Sequence, residues 1–191
     1  MIRELSKLIH EHMNYPLLGI LLFTESDPHM IKVLRDPDYY AALDNITGKN
    51  LALFATILFQ GKYEYPSLPP GVLAHMVPIW REPRQNKKVT PWFSISDSRE
   101  LPLLVIFGHK SGDFYYQKYP IKAETPETIF NNLKEVLLRI STSVQKARDE
   151  GGVNKQIMFE HAQWEMKKLE AHQNIKGFLE TVSMFRGAIG V

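Results

Sequence analysis

Residues 101–107, Leu-Pro-Leu-Leu-Val-Ile-Phe, decide the fold more than any other stretch of this sequence. A proline followed by an unbroken apolar run predicts a buried strand, because proline is tolerated at the first position of a strand. The run continues into residues 108–112, which have glycine at both ends, and then into a second strand-like stretch at 113–119. This order predicts an antiparallel hairpin with a loop of five residues.

Two further apolar runs lie upstream, at 17–23 and 51–59, and neither shows the alternation of a half-exposed strand. Between them Pro28 and Pro37 each follow an aspartate, which predicts a broken or kinked helical stretch from about 28 to 46. Strand, helix and strand in this order form a parallel βαβ unit. An amphipathic helix is predicted ahead of it, over residues 2–13.

The end of the chain is predicted to be helical. Thr125 and Pro126 open one helix, which Gly151 and Gly152 end. Beyond it, a stripe of residues repeats at alternating spacings of four and three, and from Ala171 onward all its members are apolar. The stripe consists of Ile157, His161, Trp164, Lys168, Ala171, Ile175, Phe178, Val182, Phe185 and Ile189. Gly177 is a predicted break between two helices.

The predicted organisation is one α/β domain at 1–150 and a helical extension at 151–191. The segment 61–100 holds six of the twelve prolines and is predicted to be an irregular insertion. Chain length permits one domain with an appendage, and 44% hydrophobic residues indicate a folded chain.

This order of elements resembles the thioredoxin-like fold over about residues 2–147. The resemblance is carried by Leu101-Pro102 before the strand, by Gly112 in the hairpin and by the final helix at 125–140. It implies a mixed sheet with flanking helices. It also implies that the Leu101–Pro102 peptide bond is cis and that Pro102 faces the start of the helix near Pro28.

The family places its redox cysteines after the first strand, where this chain has residues 24–29 and no cysteine. Disulfide exchange is therefore excluded, and no catalytic residue is predicted. We expect a ligand- or partner-binding groove formed by Ser26, Asp27, His29, Leu101 and Pro102. Ser26 and Asp27 are also ordinary helix-capping residues, and a helix start can hold a small anion.

Composition excludes several classes of function. Lys and Arg number 23 against 21 Asp and Glu, a balance that disfavours nucleic acid as a partner. The histidines have no metal-binding spacing, so neither a metal nor another cofactor is predicted. The run at 17–23 is too short to span a membrane, and without cysteine or a signal sequence the chain is predicted to be cytoplasmic.

Two functions remain open at this stage. The first is a redox-inactive binding or assembly module whose partner is another protein or a second copy. Its predicted interface is Ile175, Phe178, Val182 and Phe185 of the C-terminal stripe. The alternative is an enzyme resembling glutathione transferases, in which Ser26 or Tyr15 would activate a substrate thiol. The Glu-Ser pair that those enzymes place after the proline-led strand is missing, and about forty C-terminal residues are few for their helical domain.

Absence of a thiolate predicts that the purified protein will not accelerate the reduction of insulin by dithiothreitol. Turbidity from precipitating insulin chains measures the rate. A rate above the dithiothreitol background, from a preparation free of other proteins, would contradict this prediction.

Overall fold

The computed structural model describes residues 12, 14–24, 27–57, 76–80, 89–110, 113–152 and 154–189. Within these ranges, residues 56–57, 76–80, 109–110, 113–114 and 176–189 are described by their backbone alone. The described helices are α1 Pro28–Arg35, α2 Pro37–Thr47, α3 Pro126–Gly151 and α4 Lys155–Ile189. The strands are β1 Leu17–Leu22, β2 Leu51–Ile57, β3 Met76–Trp80, β4 Leu103–Lys110 and β5 Asp113–Pro120.

The five strands form one mixed sheet in the order β3-β2-β1-β4-β5. β1 pairs in parallel with β2, and β2 pairs in parallel with β3. β4 is antiparallel to both of its neighbours, β1 and β5. The prediction of an α/β fold with a mixed sheet, flanking helices and a C-terminal helix is confirmed, and the arrangement is compatible with a thioredoxin-like fold.

β1 is buried along its whole length, which explains its lack of polar alternation. Successive side chains point to opposite faces of the sheet. Leu17 and Leu21 belong to the core on one face, whereas Leu18, Ile20 and Leu22 belong to the core on the other. The sheet therefore has two hydrophobic cores with β1 between them.

All four described helices contribute to the first of these cores. α1 and α2 are separated at Asp36, whose carboxylate accepts hydrogen bonds from Asp38 N and Tyr39 N and so caps α2. Thr125 caps α3 in the same way through Thr128 N. The predicted helical stretch at 28–46 is broken at Asp36, and the predicted start of the later helix is confirmed.

Residues 89–101 cover part of the second face of the sheet. Val89, Phe93 and Ile95 are buried against Phe54 and the β1 and β4 side chains. Their segment contains two short 3-10 helices, Thr90–Phe93 and Ser98–Glu100. Its far end is tied to β5 by an ion pair between Glu100 and Lys118, with Nζ and Oε2 2.9 Å apart. That hydrogen bond lowers the pKa of the Glu100 carboxyl.

The N-terminal half of α4 packs on α3 and on the sheet through one apolar face, which we call the inner face. Its members are Met158, Phe159, Ala162, Met166 and Leu169, all buried. A polar clamp extends this contact, because the buried Tyr119 hydroxyl accepts hydrogen bonds from Gln173 Nε2 at 2.6 Å and from Asn132 Nδ2 at 3.4 Å. The clamp joins β5, α3 and α4.

Three features differ from the sequence predictions. β4 and β5 stay paired as far as Lys110 and Asp113, so the strands extend into the five residues predicted as a loop. The backbone of α4 is helical through Gly177, because one glycine costs a long helix only about 1 kcal/mol. β3 lies in a segment for which no strand was predicted. The predicted helix at 2–13 and most of 61–88 lie outside the described residues.

Tyr119→Phe should lower the free energy of unfolding by about 1–3 kcal/mol at neutral pH, because the buried amide of Asn132 and the half-buried amide of Gln173 lose their acceptor. Burial also raises the pKa of Tyr119 above its ordinary value of 10.0. The folded state therefore keeps this phenol neutral while the unfolded state ionises, and the stability of the wild type should fall as pH rises above about 10.

Urea denaturation between pH 8 and 11 measures the effect of the substitution and the effect of pH. Tyr15 and Tyr115 also have raised pKa values and contribute to the same fall. The free energy of unfolding should fall less steeply with pH in Tyr119→Phe than in the wild type. Equal slopes against pH in the two proteins would contradict the prediction.

Candidate functional site

The register of the sheet brings two of the predicted site segments to one edge. Leu22, at the end of β1, pairs with Leu103, at the start of β4. The chain that leaves β1 toward α1 therefore lies at the same edge as Leu101 and Pro102. The Leu101–Pro102 bond is cis, as the resemblance implies. Asp27, His29, Leu101 and Pro102 thus belong to the edge that carries the carboxyl ends of β1 and β2.

Asp27 occupies the N-cap position of α1, but its carboxylate turns back to the preceding loop. Its Oδ2 accepts hydrogen bonds from Thr24 N and Thr24 Oγ1, each at 2.9 Å. These two bonds join Thr24, just after β1, to the start of α1, as does a hydrogen bond from Asp27 N to Thr24 O. Asp27 therefore has a structural partner, and the geometry does not aim it at a reacting group. Ser26 lies outside the described residues.

The other three members of this edge differ in accessibility. Pro102 is buried, Leu101 is half-buried against the second core, and His29 is exposed in the first turn of α1. No described side chain orients His29 for proton transfer. This edge exposes the imidazole ring of His29 and part of the Leu101 side chain to a partner. Its role as a binding groove stays a prediction.

Tyr15, the alternative thiol-activating residue, precedes β1 and lies at the opposite end of that strand. A strand of six residues spans roughly 20 Å, so Tyr15 and Pro102 do not share one site. Burial, and secondarily the charge of Asp44, raises the pKa of the Tyr15 hydroxyl. The enzyme hypothesis stays a prediction, because Ser26, its other candidate residue, lies outside the described residues.

An open groove lies at the edge opposite Pro102, where Asn50 precedes β2 and packs beside α3. Asn50 donates from Nδ2 to the Ser141 carbonyl at 3.3 Å, and Ser141 Oγ donates to the Ile46 carbonyl at 2.7 Å. These bonds tie the end of α2 to α3. α/β sheets bind ligands at the carboxyl ends of their parallel strands. This groove lies at the amino ends, so we assign its hydrogen bonds a structural role.

A second candidate surface is the side of α4 that faces away from the domain, which we call the outer face. Ile157, Trp164 and Ile175 have exposed fractions of 41%, 61% and 60%. On a helical wheel these residues lie nearly opposite the inner face, because each residue advances the helix by about 100°. α4 therefore carries exposed apolar side chains on the side that the domain does not bury.

Charged residues frame the outer face at Trp164. Lys168 Nζ lies 5.3 Å from the centre of the Trp164 ring and 2.7 Å from Glu165 Oε1. Glu165 also faces Arg139 of α3, at 3.7 Å. An aromatic residue with a cation over its ring and a polar rim is typical of the residues that anchor protein interfaces.

The predicted interface residues fall partly within the description. Ile175 is exposed, as a residue at an interface between chains must be in the isolated chain. Phe178, Val182 and Phe185 lie on the helical backbone of α4, but their side chains are outside the description. The inner face was not predicted from the sequence. The helical spacing of Met158, Ala162, Met166 and Leu169 is the signal that could have indicated it.

The described residues contain no group of three His, Asp or Glu side chains that could hold a metal ion. Within the same part of the chain, no helix has both the length and the apolar character needed to cross a bilayer. Comparison of the sequence and structure with known protein families, characterised proteins and solved structures finds no match.

Proposed function

We propose that this protein is a redox-inactive thioredoxin-like module that acts by binding another protein through the outer face of α4. The observation that carries the proposal is the exposure of Trp164 and Ile175 on a helix whose opposite side already holds the domain together. Tryptophan in particular is enriched at the energetic centres of protein interfaces. A helix with one face docked and the other apolar is suited to pair with a second helix.

The absence of cysteine supports the first half of this proposal. Thioredoxin-like oxidoreductases act through thiolates, and this chain has none to offer. The sheet edge beside Pro102 has no nucleophile and base in contact among the described residues. A thioredoxin-like domain without thiols still presents a rigid surface, and rigid elements are the usual supports of binding sites.

A protein is favoured over other classes of partner. Net charge is +2, so a polyanion finds little long-range attraction. The exposed apolar side chains of α4 gain free energy only if an apolar surface covers them, at about 25 cal/mol per Å². Both features suit a protein partner in the cytoplasm, where a cysteine-free chain loses nothing to reducing conditions.

Trp164→Glu combined with Ile175→Glu should weaken protein binding at least tenfold, because loss of a buried interface anchor costs about 1.4 kcal/mol or more. The wild-type chain and the double variant are immobilised, and each is offered a lysate of the source cells together with tagged free copies of the wild type. The amounts retained are compared by quantitative mass spectrometry. Circular dichroism checks that the variant is folded.

Leu138→Glu is the matched control, since Leu138 is 51% exposed on α3 and away from the outer face of α4. This variant should retain the same proteins as the wild type. Equal retention by the wild type and the double variant would contradict the proposed function.

A further inference from the structure

We infer that the partner of the outer face of α4 is a second copy of this chain, paired with it in an antiparallel two-helix coiled coil. This inference rests on the proposed function and names the partner and the geometry of the same site. It follows from the heptad pattern of α4, from the position of its polar residues and from the area available.

The outer-face stripe follows a heptad repeat along most of α4. Position a is taken by His161, Lys168, Ile175, Val182 and Ile189, and position d by Ile157, Trp164, Ala171, Phe178 and Phe185. The helical backbone continues through all these positions. Eight of these ten positions are apolar, and apolar residues repeating every 3.5 residues are the pattern of helices that wind around each other.

The apolar character of α4 shifts from the inner face to the stripe as the helix proceeds. Inner-face residues are apolar up to Leu169, and Gln173 then makes the polar clamp with Tyr119. The positions that continue the inner face by spacing, 176, 180, 183, 184 and 187, are Lys, Glu, Ser, Met and Gly, and Met184 is the one large apolar residue among them. In the second half of the helix, large apolar residues therefore recur at the heptad positions while the inner-face positions offer the domain little to bury.

The charges of the first half argue against a parallel pair. In a parallel coiled coil each a residue meets its own copy, so Lys168 would face Lys168 of the other chain in the seam. Glu160 at position g would face Glu165 at position e of the other chain. Both contacts are between like charges and are destabilising.

Reversing one helix removes these contacts. Antiparallel pairing sets a against d, and with the two-fold axis level with residue 173 every member of the stripe finds a partner. Lys168 is then level with Phe178, His161 with Phe185, and Trp164 with Val182 of the other chain. The polar half of each stripe is covered by the wholly apolar half of the other, and an aromatic ring is a favourable neighbour for the lysine.

The area is sufficient for a stable dimer. Each chain contributes three aromatic residues to the stripe, and an aromatic side chain buries roughly 150–250 Å². With the isoleucines and the valine of both stripes added, the total falls within the roughly 1,200–2,000 Å² of a specific interface. The inner face lies on the far side of α4, so pairing through the stripe sets the two domains on opposite sides of the helix pair.

The natural absence of cysteine allows a direct test, because one introduced cysteine gives one spin label per chain. Glu160→Cys is suited to the label, since Glu160 is exposed and outside the stripe. It lies about 13 residues from the two-fold axis, so pulsed electron paramagnetic resonance should report about 40 Å between labels along the helix axis. His172→Cys, close to the axis, should give a short distance. Adding Trp164→Glu and Ile175→Glu to either labelled chain should remove the distance signal.

Each other outcome overturns the inference in a distinct way. A short distance between labels at residue 160 would show a parallel pair. No intermolecular distance at several hundred micromolar protein would show that the chain does not pair with itself. In either case the binding comparison with Trp164→Glu and Ile175→Glu still decides the proposed function, because a different protein lost by that variant would support it without self-association.

Discussion

The structure depends on β1, a strand that is buried on both faces and paired on both edges. It hydrogen-bonds in parallel with β2 and antiparallel with β4, so its backbone groups are satisfied where water cannot reach them. Its side chains supply both hydrophobic cores. Gly19 at its centre keeps β1 close to β2, because an added Cβ would lie 3.1 Å from Leu53 Cδ1 and 3.3 Å from Leu51 Cδ1. The position of Pro102 and of α1 follows from this strand, since Leu22 fixes the start of β4.

The two faces of the sheet are covered by different means, and the difference directs attention to α4. Helices cover one face of the sheet, and the inner face of α4 is part of that helical layer. The outer face of the same helix is left with three large apolar side chains in water. The sheet edge beside Pro102, where thioredoxin-like proteins have their thiols, has its aspartate engaged by Thr24 and its proline buried. This contrast is the reason for proposing that the chain binds its partner through the helical extension.

The elements that could be predicted from the sequence are those whose signals are local. Apolar runs predicted β1, β2 and β4. Asp36 and Thr125 predicted two helix starts, because an N-cap side chain accepts hydrogen bonds from N–H groups of the first turn. β3 was missed, since Pro78 within it weakens the strand pattern and its pairing with β2 is a contact distant in sequence. The site residues were harder. The turn of Asp27 toward Thr24 and the separation of Tyr15 from Pro102 depend on tertiary geometry that no spacing reveals.

The central claim is that α4 has one face that holds the fold and another that does not. Leu169 is 2% exposed on the inner face and Ile175 is 60% exposed on the outer face, about 1.7 turns further along. Urea denaturation of Leu169→Ala and Ile175→Ala tests the claim directly, at protein concentrations low enough to keep chains apart. We expect Leu169→Ala to lower the free energy of unfolding by about 2–5 kcal/mol and Ile175→Ala to change it by less than about 0.5 kcal/mol. Equal losses in the two variants, or no loss in Leu169→Ala, would contradict this account.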